Sequence, residues 1–300
     1  MQHIGEGLDK VTDIVKQCLQ EPPVDTTYKF GIWHPGRLNW KGFVTEARIH
    51  ASYLTKPKNA DVRKFIIICR ARSGSTLLTH LLGQHPDITC DKEVLAYNVL
   101  SPQLLLDRLA KKTCTPVYGC KLLSYQMIQV HRMAAPRKFL KYLKNDGFRI
   151  IHLERNTFYQ TLSMYEAQQS GLYHLPLTQD AIKPEHSTNS SVRSSRKINA
   201  ADFVKRLRWS EMMLKYEREI VSEFSDTYIH YESDLQNTEA QKELAVKLYK
   251  LLGIEEFHPN VKMKKLANQS IFQRIKNFEE VAEAIKKAGL SHLLPDDNSS

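Results

Sequence analysis

The chain has 300 residues, enough for one large α/β domain or two small ones with an ample core. Hydrophobic residues make up 42% and charged residues 25%, a composition that excludes collagen-like and disordered classes. The formal net charge of +10 favours an anionic ligand or partner, yet no basic helix, zinc-finger spacing or aromatic RNA-binding motif points to nucleic acid.

The N-terminal MQHIGEGLDKV lacks the basic and apolar regions of a secretion signal, and no run approaches the length of a membrane span. The expectation is a soluble cytoplasmic protein with no transmembrane anchor. Gly7 to Gln20 places Leu8, Val11, Ile14, Val15, Cys18 and Leu19 on one helical face, stopped by Pro22-Pro23. Tyr28 to Tyr53 is aromatic, with Trp33, Trp40 and Phe43. For residues 1–60, core packing or a homodimer contact is expected ahead of substrate binding. Phe65 to Cys69 is an apolar run suited to a strand buried on both faces. A helix follows over Thr76 to Gln84, then one near Gln103 to Lys112. Val117 to Leu123 is a second strand, Pro136 to Asn145 a helix, Phe148 to Glu154 a third strand and Thr157 to Gln169 a helix. Residues 176–199 are polar and Ser-rich, the composition of a mobile loop. Ala200 to Glu223 is a long amphipathic helix, Tyr228 to Tyr231 a strand, and Glu239 to Leu252 and Asn277 to Ala288 are helices. Strands alternating with helices predict a mostly parallel sheet flanked by helices.

The five cysteines, Cys18, Cys69, Cys90, Cys114 and Cys120, are odd in number and form no C-x-x-C pair. Neither a disulfide framework nor a thiolate metal site is expected, and no other metal-ligand cluster is visible.

The densest chemistry lies between the first strand and its helix. Arg70-Ala71-Arg72-Ser73-Gly74-Ser75-Thr76-Leu77-Leu78 joins two arginines and several hydroxyls in a tight turn. Gly74 permits the turn, and the first N–H groups of the new helix face the loop without helical acceptors. Those N–H groups and the helix dipole favour an anion. The Walker pattern of Gly, four residues, then Gly-Lys-Ser/Thr is missing.

This stretch resembles the 5′-phosphosulfate loop of PAPS-dependent sulfotransferases, nearest to bacterial carbohydrate enzymes of the trehalose and nodulation-factor type. The resemblance covers about residues 62–285 and implies a single domain with the sulfotransferase variant of the P-loop nucleotide fold. It assigns Arg70, Arg72, Ser73, Gly74, Ser75, Thr76 and Leu77 to the donor, 3′-phosphoadenosine 5′-phosphosulfate (PAPS). Arg155 ends a strand and Ser163 follows eight residues later; in this family such a pair holds the 3′-phosphate. A strand-end Arg makes charge-assisted bonds to phosphate, to which a Ser two turns on adds a hydroxyl. Tyr231-Glu232-Ser233-Asp234-Leu235 is similar to the family's Tyr-Glu-Asp-Leu segment, whose Tyr lies near adenine; Ser233 departs from it. Lys265 stands twelve residues before Asn277, matching a family lysine that closes over the 3′-phosphate or ribose, although Leu266 replaces the usual Gln.

The acceptor hydroxyl needs a base. The resemblance implies Glu93, in Asp91-Lys92-Glu93, since carbohydrate enzymes of the family place a catalytic Glu there. Small-molecule enzymes place a His two residues after the lysine matched by Lys121; here that residue is Leu123, which favours Glu93. His80, His85 and His152 are weaker choices. Arg72, helped by Lys121, is expected to stabilise charge on the leaving phosphate oxygen. The reaction so implied moves a sulfuryl group from PAPS to a hydroxyl of a carbohydrate, glycolipid or small-molecule natural product, with no metal. The rivals are a kinase-like nucleotide-dependent transferase and a non-catalytic nucleotide-binding module. The missing Gly-Lys-Ser/Thr sequence and Mg²⁺ carboxylate motif speak against the first.

Overall fold

The computed structural model describes residues 40–55, 61–131, 133, 135–170, 196–260 and 271–295. The sequence-predicted helix over 7–20, most of the loop over 176–199, and Lys265 lie outside them. The chain divides into two compact units, the first made of Met1–Arg155 and Met212–Val261, the second of Asn156–Glu211 and Lys262–Ser300.

The first unit is built on five parallel strands in the order β2-β3-β1-β4-β5. These are β1 (Arg63–Cys69), β2 (Ile88–Asp91), β3 (Val117–Leu123), β4 (Phe148–Glu154) and β5 (Thr227–His230). Phe65 to Cys69 in β1 are fully buried, as a strand with helices over both faces requires. The sequence reading missed β2. It is four residues long, lies at the sheet edge and, among the described residues, pairs with β3 alone, so it shows neither a long apolar run nor a full alternating pattern.

Helix α1 (Trp40–Thr55) precedes the sheet. Its Glu46 is buried and accepts the Leu100 and Ser101 N–H groups at 2.8 and 3.2 Å, just before α3 (Pro102–Lys112) begins. Helix α3 packs on β3 and α4 (Pro136–Asn145) on β4. On the opposite face, α2 (Ser75–Leu82) and a later helix, Thr238–Leu252, share one apolar cluster with Phe65, Ile67 and Cys69. That arrangement makes the unit an α/β structure with helices on both sides of a parallel sheet.

The second unit is helical. Helix α5 (Thr157–Ser170) and the start of α6 (Ala200–Val221) pack with the C-terminal helices around Phe158, Leu162, Phe203, Leu207, Val281 and Ile285. With α7 being Thr238–Leu252, those C-terminal helices are α8 (Ile271–Arg274) and α9 (Phe278–Lys287). Asn277 exchanges hydrogen bonds with Ile198, its amide oxygen accepting at 2.8 Å and its amide nitrogen donating at 2.9 Å. Arg274 and Glu166 form a buried two-point ion pair at 3.0 and 2.8 Å. Among the described residues no helix is long and apolar enough to cross a membrane.

One strand position is fixed by shape. Gly119 of β3 stands opposite Phe65 of β1, and a Cβ there would lie 2.0 Å from the Phe65 ring. The ring occupies the space that the missing side chain leaves. Gly119→Ala is expected to destabilise the protein by about 1–3 kcal/mol through overpacking. Urea unfolding should show a lower midpoint at an unchanged slope.

Candidate functional site

The site grows from the carboxyl ends of three adjacent strands. Cys69 of β1 is level with Leu123 of β3 and Leu153 of β4. The chain turns sideways to β2 and β3 after β1, then returns on the other side as β4, so the strand order switches at β1. In open parallel sheets the crevice at such a switch point is where ligands bind.

The loop after β1 has an unusual backbone. Arg72 has φ 67° and Gly74 φ 92°, with Ser73 between them at negative φ. Alternating signs of φ turn successive N–H groups toward one concavity, a form suited to an anion. Helix α2 begins at once, its first backbone bond running from Leu78 N–H to the Gly74 carbonyl at 3.1 Å. The N–H groups of Ser75, Thr76 and Leu77 precede that first bond and sit at the positive end of the helix dipole.

Internal bonds hold the loop. Ser73 Oγ donates to the Arg70 carbonyl at 2.7 Å, and Arg155 donates to the Arg72 carbonyl at 3.0 Å. Arg70 in turn donates to the Arg155 carbonyl at 2.9 Å. The two arginines thus tie the loop to the end of β4 in both directions. The Arg70 side chain is buried; desolvation lowers its pKa, opposed by the carboxylates of Glu217 and Glu154. Its guanidinium therefore braces the base of the loop. Arg155 also lies over the Tyr231 ring at 4.3 Å, with Glu232 3.9 Å away. Tyr231 opens a π-helical turn, Tyr231–Leu235, directly after β5. Its ring fills the space beside Gly74: a Cβ at 74 would meet it at 2.4 Å.

Beside the loop stands a second group. Lys121 of β3 is almost fully buried, and its Nζ donates to Thr76 Oγ1 at 3.2 Å and pairs with Glu93 Oε1 at 3.0 Å. The other Glu93 oxygen accepts from Gln126 Nε2 at 3.1 Å. Glu93 itself is about a quarter exposed. A polar chain thus runs from the first turn of α2 through Lys121 to a carboxylate open to solvent. Tyr125 lies nearby; burial first, and the charge of Glu93 second, raise its phenol pKa.

The structure brings Arg70, Arg72, Ser73, Gly74, Ser75, Thr76, Leu77, Arg155, Tyr231, Lys121 and Glu93 together in the first unit. Ser163 belongs to the second unit, buried in α5. Two of the histidines have other work. His85 accepts the Asp87 N–H on Nδ1 at 3.0 Å and bonds the Glu255 carbonyl through Nε2 at 3.1 Å. His152 is wholly buried in β4 and bonded to Glu217 at 2.9 Å. The residue that sequence reasoning missed is Gln126. It begins a π-helical turn, Gln126–Val130, three residues past the end of β3, and no periodicity announces such a turn.

No protein-family model matches the chain, and no curated protein matches it. Solved structures do, among them three sulfotransferases. The chain is 13% identical to a sulfotransferase from Alicyclobacillus acidocaldarius, over 77% of this chain and 96% of that one, at a TM-score of 0.40. It is 9% identical to sulfotransferase STF9 from Mycobacterium avium, over 93% and 95%, at 0.46. It is 17% identical to mouse sulfotransferase SULT7A1 complexed with PAP, over 64% and 60%, at 0.37. At these identities and scores the functional assignment rests on the residues of the site.

The contact between Gly74 and Tyr231 can be tested directly. Gly74→Ala should lower stability by about 1–3 kcal/mol, from overpacking together with an alanine forced into positive φ. Tyr231→Ala should cost less in the Gly74→Ala background than in the native chain, because the ring struck by the new methyl is gone. Thermal melts of the two variants and their combination measure both terms.

Proposed function

We propose that the chain is a sulfotransferase that moves a sulfuryl group from PAPS to an acceptor hydroxyl on a carbohydrate, glycolipid or small-molecule natural product. The observation that carries this reading is the connected set Thr76–Lys121–Glu93 beside the loop after β1. It joins an anion-binding helix start to a carboxylate within reach of solvent, as transfer from an anionic donor to a neutral hydroxyl requires. The donor chemistry fits the residues present. Lys121 bonds Thr76 Oγ1 and Arg155 bonds the Arg72 carbonyl, so two cations meet the loop that offers the backbone N–H groups, and no glycine-lysine pair is needed for it.

The donor, when bound, supplies a sulfuryl group activated by attachment to a phosphate leaving group. Backbone N–H groups of residues 73–77 and the hydroxyls of Ser75 and Thr76 bind and orient its charged oxygens. Arg72 and Lys121 stabilise the negative charge that grows on the leaving phosphate oxygen. Arg155 binds the 3′-phosphate; Ser163 and Lys265 are assigned to the same group by the sequence pattern alone. Tyr231 holds the Arg155 guanidinium against its ring, where cation and π-face attract. Glu93 accepts the acceptor proton. Lys121 and Gln126 each occupy one of its oxygens, and a carboxylate oxygen can accept a second hydrogen bond. The acceptor oxygen forms the new S–O bond as the S–O bond to phosphate breaks, and the proton ends on Glu93.

Adenosine 3′,5′-bisphosphate should raise the melting temperature far more than 5′-AMP. Equal shifts would remove the 3′-phosphate assignment. Radiolabelled PAPS with a panel of sugars, glycolipids and phenols should yield sulfated product; binding without transfer to any acceptor would favour a nucleotide-binding module, and transfer from ATP instead would favour a kinase. Arg155→Ala should weaken bisphosphate binding by about 1.5–3 kcal/mol, the worth of a charged hydrogen-bond partner. Glu93→Gln should cut turnover about 10²–10⁴-fold at unchanged bisphosphate affinity. Retained turnover would move the base elsewhere.

A further inference from the structure

We infer that Gln126 is a positioning residue for the Glu93 carboxylate, acting on the reaction only through Glu93; this rests on the transfer reading above. Gln126 is fully buried, so its amide can satisfy itself only within the protein. Both ends of that amide are engaged. The oxygen accepts the Leu123 N–H at 3.1 Å, where β3 ends, and the nitrogen donates to Glu93 Oε2 at 3.1 Å. The bond to the backbone fixes which end faces which partner. An amide turned the other way would set its oxygen against a carboxylate and its NH₂ against an N–H donor. The side chain thus reads as a rigid clamp from the sheet edge to the carboxylate.

The backbone around it supports the same role. Gln126 opens a π-helical turn, Gln126–Val130, and widened turns of this kind recur at functional sites. The segment carrying Glu93 belongs to no helix or strand, and its backbone joins β3 through the Lys92 carbonyl, which accepts the Lys121 N–H at 3.3 Å. Lys121 and Gln126 therefore grip opposite oxygens of one carboxylate from the two ends of a short stretch of the same strand and turn. Lys121 touches Thr76 and so serves the loop as well. Gln126, by contrast, reaches the loop only through Glu93 and Lys121 in the bonds described, which separates its duty from donor binding. Rotation of Glu93 would misplace the proton acceptor relative to the hydroxyl, and small misplacements of a reacting group are costly.

The test is a double-mutant cycle on the full chain. Gln126→Met keeps the volume and removes the hydrogen bonds of the amide, those to Leu123 and Glu93 among them; Gln126→Glu keeps an acceptor for the Leu123 N–H and sets a second carboxylate against Glu93. Each is made in the native chain and in a Glu93→Gln background. Two quantities are read: affinity for adenosine 3′,5′-bisphosphate, and sulfate transfer from radiolabelled PAPS to glycerol supplied in excess as a generic hydroxyl acceptor. In the native background both substitutions should lower transfer about tenfold to a hundredfold at unchanged bisphosphate affinity. With Glu93→Gln already present, either should change transfer less than about twofold, since no carboxylate remains to be held. Losses that multiply in the double variants would show that Gln126 acts independently of Glu93 and overturn the inference. So would full transfer in Gln126→Glu, because that variant retains an acceptor for the Leu123 N–H, loses the amide donor and opposes Glu93 with a second carboxylate. A native chain that fails to bind the bisphosphate sinks the donor assignment itself, which distinguishes failure of that reading from failure of this one.

Discussion

Parallel pairing of β1 with β3 and β4 brings Arg70, Lys121 and Arg155 to one edge of the sheet. Their sequence positions are far apart, yet residues 69, 123 and 153 stand level in the ladder. A slip of one residue would turn every side chain of β1 to the opposite face. The Phe65–Gly119 contact resists such a slip, because the ring has space only where a strand residue lacks a side chain. The reach of Lys121 to Thr76 and the return of Arg155 to the Arg72 carbonyl both follow from that alignment.

The same edge carries several ionisable side chains, His152, Glu154 and Glu217 among them buried. His152 and Glu217 are wholly buried and bonded to each other, and Glu154 meets Arg218 at two points, 2.9 and 2.6 Å. Burial alone would raise the Glu154 pKa; the Arg218 bond and neighbouring cations reverse this, and its pKa is lowered. Removing Arg218 would leave the buried Glu154 carboxylate desolvated without that partner, at a cost greater than the pair contributes. Arg70 adds its own charge to this group through the fields of Glu217 and Glu154. The loop is consequently braced from below by electrostatics and from the side by the Arg155–Tyr231 stack.

Much of this was legible in the amino-acid order. Val117–Leu123, Pro136–Asn145 and Phe148–Glu154 have the bounds that their apolar patterns and the Asp146-Gly147 stop indicate. The loop motif was equally plain, since glycine, hydroxyls and arginines occur together between a buried strand and an apolar helix. The short edge strand β2 and both π-helical turns were not, for want of a periodicity long enough to register. Gln126 escaped for a related reason: a lone glutamine has no pattern, and its meaning arises only when a widened turn folds it back on Glu93. The pairing of Glu93 with Lys121 was hidden too, because a residue between strands can be matched to a strand residue only once the register is known.

Gly74 and Tyr231 have unequal freedom to vary over evolutionary time. Position 74 is constrained twice, by the ring that abuts it and by a φ of 92° that side chains rarely adopt. Loss of the ring at 231 lifts the first constraint and leaves the second untouched. Related chains that exchange Tyr231 for a smaller residue should therefore still keep glycine at 74, whereas chains that lose the glycine should first have lost the ring. The order of those changes along a lineage is thus biased by the geometry of one turn.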